Sequence, residues 1–404
     1  MCYNILQRYK GENMITKIKN GKLILPDGVK NSLNLYFENE RITHITEEEL
    51  PYDYEIDAEE RYVSPGFIDI HVHGGGGHDF MDGGKEAIIK AAELHMQYGT
   101  TSIMPTTLAC TTETLLNFLK ELKSVLENHL TKNRIIGAHL EGPYFSKEQA
   151  GAQNPEYIKS PQKDEYEYII KEFGDIIKRW SFAPELSGSV EFCAYLQKNN
   201  ISPSIGHSDA VYSDVEKVYE KGARTFTHLY SGMSSIVRKG GYRYLGVLES
   251  AYLLDGITAE VIADGCHLPK ELLKLIVKQL GTKNICLVTD AMRGAGMPEG
   301  KSLLGRKGEG IECIIEDGIA KMPDRSCFAG SVATADRLVR TMVKQAGCSV
   351  YEAVSMMTEN PARLLGMSNV GSLRVGNLAD IVLFDDNINV SCVIANGVVY
   401  KDKM

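Results

Sequence analysis

Phe67-Ile68-Asp69-Ile70-His71-Val72-His73 carries an apolar strand into two histidines one residue apart, and Gly74 to Gly77 follow directly. Side chains alternate faces along a strand, so His71 and His73 point the same way at its end, where two imidazoles can grip one metal ion. The same residues also read as polar groups closing a strand before a flexible loop, and the heptapeptide alone leaves both readings open.

Outward from this strand, short apolar runs alternate with helical patterns. Strands are predicted over 67–73, 101–105, 135–141, 181–184, 202–207, 225–228, 258–263 and 285–290, with amphipathic helices over 86–98, 112–130, 271–280 and 334–347. Repeated strand-helix units signal a parallel sheet, and eight of them predict an α/β fold, a (β/α)8 TIM-type barrel with its active site at the carboxyl ends of the strands. The flanks read differently. Segments 33–37, 41–45, 379–384 and 392–400 have strand texture, those near the start being separated by Pro-Asp-Gly and Glu-Asn-Glu turns. A small β-sandwich domain formed from both termini is expected, residues 1–64 and 374–404, beside a barrel over 65–373. Residues 1–13 show no period, which marks Met14 as a candidate true start.

The 404 residues carry a formal net charge of -9 and no long basic run, which argues against nucleic acid or an anionic membrane surface as a partner. Nine cysteines lie scattered without a CxxC pair, and most are expected to fill the core. With no signal-peptide pattern and no apolar run near 18 residues, the expectation is a cytoplasmic protein with reduced thiols.

Polar residues recur at the predicted strand ends. His71 and His73 end the first, Glu141 the third, His207 the fifth, His228 the sixth and Asp290 the eighth. A closed barrel brings these ends to one mouth, so four histidines and two carboxylates remote in sequence share one pocket and predict a metal site. His139 shares a face with Glu141 and is expected to support the site or pack deeper. His44, His78, His95 and His129 are given no chemical role. Gly74 to Gly77 lack a following GK[ST] or GxGxxG, so backbone crowding near the ions explains them better than phosphate binding.

At these residues the chain resembles the N-acetylglucosamine-6-phosphate deacetylases of the amidohydrolase superfamily. HVHGGGGHDF at 71–80, GTTSIMPT at 99–106, HLEGP at 139–143, GHS at 206–208, THLYSGM at 227–233, ADGCH at 263–267 and VTDA at 288–291 follow that family's order and spacing. FAGS at 328–331, NPARLLG at 360–366 and GNLADIV at 376–382 extend the likeness to nearly everything after residue 14.

The resemblance implies a metal-dependent amidohydrolase that removes the acetyl group of N-acetylglucosamine 6-phosphate. Glu141, His207 and His228 would hold one divalent ion, with His71 and His73 adding a second that Glu141 bridges; zinc, iron and manganese all suit such ligands. Asp290 matches the family's catalytic aspartate and is expected to act as general base and acid. Ser231 and Gly232, the basic residues Arg238 and Arg243, and His267 are expected to meet the phosphate, His267 across a homodimer interface. Gln153 stands where the family commonly has histidine and is expected to donate to a sugar hydroxyl or acetyl oxygen. The stretch 231–246 lacks the family's usual Arg-Glu-Pro-Gly. Two other readings compete: an amidohydrolase for another N-acyl sugar, such as N-acetylgalactosamine 6-phosphate, or for a cyclic amide, and a non-catalytic scaffold, which the full ligand set disfavours.

Overall fold

The computed structural model describes residues 14–403; the reading of Met14 as the true start turns on residues 1–13, outside the described residues. Eight parallel strands form the barrel: β1 (Phe67–Val72), β2 (Thr100–Pro105), β3 (Ala138–Glu141), β4 (Ile177–Phe182), β5 (Ser202–Ile205), β6 (Thr225–Phe226), β7 (Thr258–Val261) and β8 (Ile285–Leu287). β1 pairs with β2, and β3 to β8 pair in succession. Single parallel bridges, Thr106 to His139 and Val72 to Ala291, close the two remaining seams. β1 and β2 are buried on both faces, as a sheet covered by helices requires.

Helices form where apolar residues recur every three or four positions. Thr112–Glu127 turns Leu115, Phe118, Leu119, Leu122 and Val125 inward, and the Thr111 hydroxyl caps it by accepting from the Thr114 N–H at 3.2 Å. Further helices, Lys163–Phe173, Ser189–Lys198 and Tyr212–Glu220, fill the intervals between strands where none was predicted.

The strands of the two flanks join directly. Ile381–Phe384 runs antiparallel to Tyr62–Pro65 inside a six-stranded sheet, and a four-stranded sheet holds Ile15–Lys19, Asn34–Glu38, Arg41–Thr46 and Tyr54–Asp57. One apolar cluster serves both sheets, with Ile18, Leu35, Phe37 and Ile56 meeting Leu23, Val63, Ile381 and Leu383.

The region directly after β8 was not anticipated either. After β8 the chain builds a three-stranded antiparallel sheet, Gly300–Leu304, Ile311–Glu316 and Ile319–Lys321. Asp317 and Gly318 turn its second hairpin with φ of 54° and 70°, as a type I′ turn demands. Among the described residues no helix is long and apolar enough to cross a membrane.

Candidate metal and substrate site

His71 is the penultimate residue of β1 and His73 lies just past its end, and both rings reach Glu141 and Asp290. The glycines that follow form a small hairpin, Gly74–Gly75 against His78–Asp79, with Gly76 and Gly77 at φ of 61° and 84°. A Cβ on Gly74 would lie 2.2 Å from the His78 carbonyl oxygen, and one on Gly75 2.6 Å from Leu94 Cδ2. The backbone crowding expected of these glycines is present, with the hairpin's own carbonyl and the Leu94 side chain leaving no room for a Cβ. His95, given no role from sequence, is buried with its Nε2 2.8 Å from the Gly74 carbonyl oxygen.

Glu141 closes β3. The next residue, Gly142, accepts from the indole N–H of buried Trp180 at 2.9 Å, which fixes the turn beyond the carboxylate. His207, His228 and Asp290 were expected at strand ends but lie beyond them, with φ of 46°, 26° and 47°. Such left-handed backbone costs on the order of 1–3 kcal/mol at each non-glycine residue and persists only where surrounding bonds enforce it. Here the Asp290 N–H donates to the His71 carbonyl at 2.9 Å, and the His228 N–H donates to Glu260 Oε2 at 3.1 Å.

The imidazoles converge on Glu141. Its Oε1 lies 2.9 Å from His228 Nε2, 3.3 Å from His207 Nε2 and 3.4 Å from His71 Nε2, while its Oε2 lies 3.4 Å from His73 Nε2. Asp290 Oδ1 is 3.0 Å from His73 Nε2 and 3.4 Å from His71 Nε2. Among the described residues, two groups of side chains lie close enough together to hold a metal ion, His71 with His73 and Asp290, and His71 with Glu141 and His228.

Burial alone would raise the Glu141 carboxyl, but the His71 charge and the bonds from His207 and His228 hold it well below the usual range. Asp290 behaves likewise: burial opposes ionisation, the His73 hydrogen bond and the neighbouring imidazoles outweigh it, and its pKa falls to about 2. Burial presses His228 the other way, below the ordinary histidine value, and His139 further still. His207 Nδ1 lies 2.8 Å from the Gln149 carbonyl, which can only accept, so Nδ1 carries the proton. Its bond to Glu141 therefore requires a ring protonated on both nitrogens; in the neutral ring the Nε2 lone pair faces the carboxylate oxygen instead. Lone pairs and carboxylates packed together in a dry site call for a cation, and nitrogen with oxygen donors suits a divalent one.

His73, Glu141, His207, His228 and Asp290 line a cavity of about 540 Å³, together with Gln153, Ser231, Gly232 and His267, while His71 lies buried behind them. Gln153 is engaged on both sides: Nε2 donates to Glu141 Oε2 at 2.7 Å, and Oε1 accepts from the Ala109 N–H at 2.7 Å. The Ser231 N–H donates to the His228 carbonyl at 3.0 Å. A Cβ on Gly232 would fall 2.8 Å from His207 Nδ1. His267 Nδ1 is 2.8 Å from Asp264 Oδ2, and its ring meets Phe328 edge-on at 4.9 Å. Arg238 and Arg243 face each other across the exposed hairpin Val237–Lys239 and Tyr242–Tyr244, and neither lines the cavity. Lys321, Arg325, Cys327 and Phe328, from the unanticipated sheet and the loop after it, do line it.

His139 does not enter the cavity lining. It packs deeper, its Nε2 2.7 Å from Ser181 Oγ and its ring edge-on to His71 at 4.6 Å.

The amidohydrolase family model matches residues 62–400. The chain is 30% identical to an N-acetylglucosamine-6-phosphate deacetylase of Lysinibacillus sphaericus, across 94% of this chain and 96% of that one. It is 31% identical to an N-acetylgalactosamine-6-phosphate deacetylase of Escherichia coli O157:H7, across 85% and 88%. The fold is similar to the crystal structure of the N-acetylglucosamine-6-phosphate deacetylase of Pasteurella multocida, with a TM-score of 0.89 and 26% identity over 96% and 100% of the two chains. Family match, relatives and barrel agree, and the chain is an enzyme of the amidohydrolase family.

Proposed function

We propose that the chain hydrolyses the N-acetyl group of N-acetyl-D-glucosamine 6-phosphate, giving D-glucosamine 6-phosphate and acetate. The observation that carries this reading is the convergence of four imidazoles on Glu141 and Asp290, two carboxylates that line one cavity. Relatives bearing the name N-acetylglucosamine-6-phosphate deacetylase, alike over nearly the whole chain, direct the choice of substrate. His71, His73, Glu141, His207 and His228 would hold one or two divalent ions of zinc, iron or manganese, which when bound lower the pKa of water and polarise the acetyl carbonyl.

Asp290, already ionised, takes the proton of the water that adds to the acetyl carbon. As the C–N bond breaks, its electron pair stays on nitrogen, and Asp290 returns the proton to the leaving amine. Gln153 holds Glu141 in place. Ser231, Gly232 and His267, which line the cavity, are the residues we assign to the sugar phosphate, whereas Arg238 and Arg243 stay outside it on their exposed hairpin.

We read residues 65–373 as the catalytic barrel and the flanking strands as a small sandwich domain, supported by the apolar cluster both sheets share. The buried free thiols Cys193, Cys286, Cys313 and Cys348 support a reducing cytoplasm, and a homodimer is our expectation for the assembly.

The likeness to an N-acetylgalactosamine-6-phosphate deacetylase favours a second reading, in which the C4 epimer is the substrate. Acetate release from the two phosphorylated sugars and from unphosphorylated N-acetylglucosamine, with ring opening of dihydroorotate, separates these readings. We expect the highest kcat/KM for N-acetylglucosamine 6-phosphate. A higher value for the galactosamine compound selects the second reading, and no acetate from either rejects both.

A further inference from the structure

Beneath the histidine cluster lies a buried ion pair. Glu260 sits in β7 and Arg179 in β4, and both side chains are wholly buried inside the barrel. The Arg179 guanidinium meets Glu260 Oε1 and also donates to Ser204 Oγ at 2.6 Å and Thr227 Oγ1 at 3.2 Å. The other carboxylate oxygen, Oε2, lies 3.1 Å from His71 Nδ1 and accepts the His228 N–H at 3.1 Å.

A carboxylate clamped by a guanidinium can only accept, so the proton of a neutral His71 ring resides on Nδ1 and its Nε2 presents a lone pair. That nitrogen is buried without a hydrogen-bond partner and stands 3.4 Å from both Glu141 Oε1 and Asp290 Oδ1. The second contact matters as much. His228 occupies left-handed backbone at φ 26°, and its N–H reaches the same Glu260 oxygen. One carboxylate thereby fixes the ring of His71 and the backbone of His228, two members of the group that includes Glu141.

We propose that Glu260, held in place by Arg179, is the positioning residue of the metal site: it sets the tautomer of His71 and the backbone of His228 so that both Nε2 atoms face the ion. The proposal rests on the reading that His71 is a metal ligand. Partners that orient metal-bound imidazoles govern about 10- to 100-fold in metal affinity.

Replacing Glu260 alone would strand the buried Arg179 charge and unsettle the fold, so the test uses two double variants that both remove the ion pair. Arg179→Met with Glu260→Gln keeps an acceptor for the His71 and His228 N–H groups; Arg179→Met with Glu260→Leu removes it. Zinc affinity is measured by chelator competition and bound zinc by elemental analysis, with thermal melting to establish folding. The glutamine pair is expected to bind zinc within a few-fold of wild type and the leucine pair about 10- to 100-fold more weakly. Equal zinc affinity in the two overturns the proposal. Zinc binding unchanged in His71→Ala would instead reject the reading of His71 as a ligand. Should neither double variant fold, histidine-selective 15N spectra of the wild-type chain decide, the His71 signals being those lost in His71→Ala. A proton on Nδ1 supports the assignment, and a proton on Nε2 overturns it.

Discussion

Gln153 and Glu141 form a 2.7 Å hydrogen bond that ties the loop after β3 to the carboxylate at the centre of the histidine cluster. The same glutamine accepts the Ala109 N–H from the loop after β2, so one side chain locks two loops around the site. Gln153→Ala leaves a buried N–H and a carboxylate oxygen without their partner. The expected cost is about 1–3 kcal/mol of stability, read from denaturant melts, with metal affinity lowered about tenfold.

Asp290 stands at φ 47°, a conformation that asparagine tolerates well, so Asp290→Asn should fold normally. Asparagine can still pair with His73 but cannot carry a proton between water and amine. Turnover is expected to fall about 10²- to 10⁴-fold while bound metal is retained. Near-normal turnover would remove Asp290 from the proton-transfer role.

Arg293 grips Asp82 through two nitrogens, at 2.7 and 3.2 Å, joining the loop after the glycine hairpin to the loop after β8. Burial raises the Asp82 carboxyl, but Arg293 and the Asp79 and Lys307 amides together hold it below the ordinary value. A depressed folded-state pKa gives stability that is complete above about pH 4 and is lost as pH falls through the folded value. Asp82→Asn should therefore cost about 3 kcal/mol at pH 7, with the deficit shrinking below pH 4. A deficit that persists undiminished at pH 2 would contradict this.

The ligands we propose come from β1, β3 and the loops beyond β5 and β6, so an ion bound there would tie together segments more than a hundred residues apart. An ion present at a hundred times its Kd stabilises the folded chain by about 2.7 kcal/mol. Chelation should lower Tm and abolish acetate release, and zinc or manganese should restore both. A Tm indifferent to chelator at full metal loss would separate the site from the stability of the barrel.

How far the site was legible depends on what each residue needs. His71 and His73 announced themselves because a period of two places them on one face, and Glu141, His207, His228 and Asp290 because barrel strands end at a common mouth. Glu260 and Arg179 gave no such sign. Each is a polar residue inside a barrel strand, and without the register nothing distinguishes an inward side chain from a solvated one. His95 was unreadable for the same reason on a helix. The sheet over 300–321 had a usable signal, the Asp317-Gly318 pair between alternating apolar residues, and it supplies Lys321 to the cavity. Arg238 and Arg243 show the converse: positive charge near a motif in sequence says nothing about which way a hairpin carries it.

The most direct test is metal content and acetate release measured on the same preparation, with N-acetylglucosamine 6-phosphate and its unphosphorylated form as substrates. Bound divalent metal, acetate release that rises with metal occupancy and a clear preference for the phosphorylated sugar are the predicted result. Metal-loaded, folded protein that releases no acetate from the phosphorylated sugar would contradict the account.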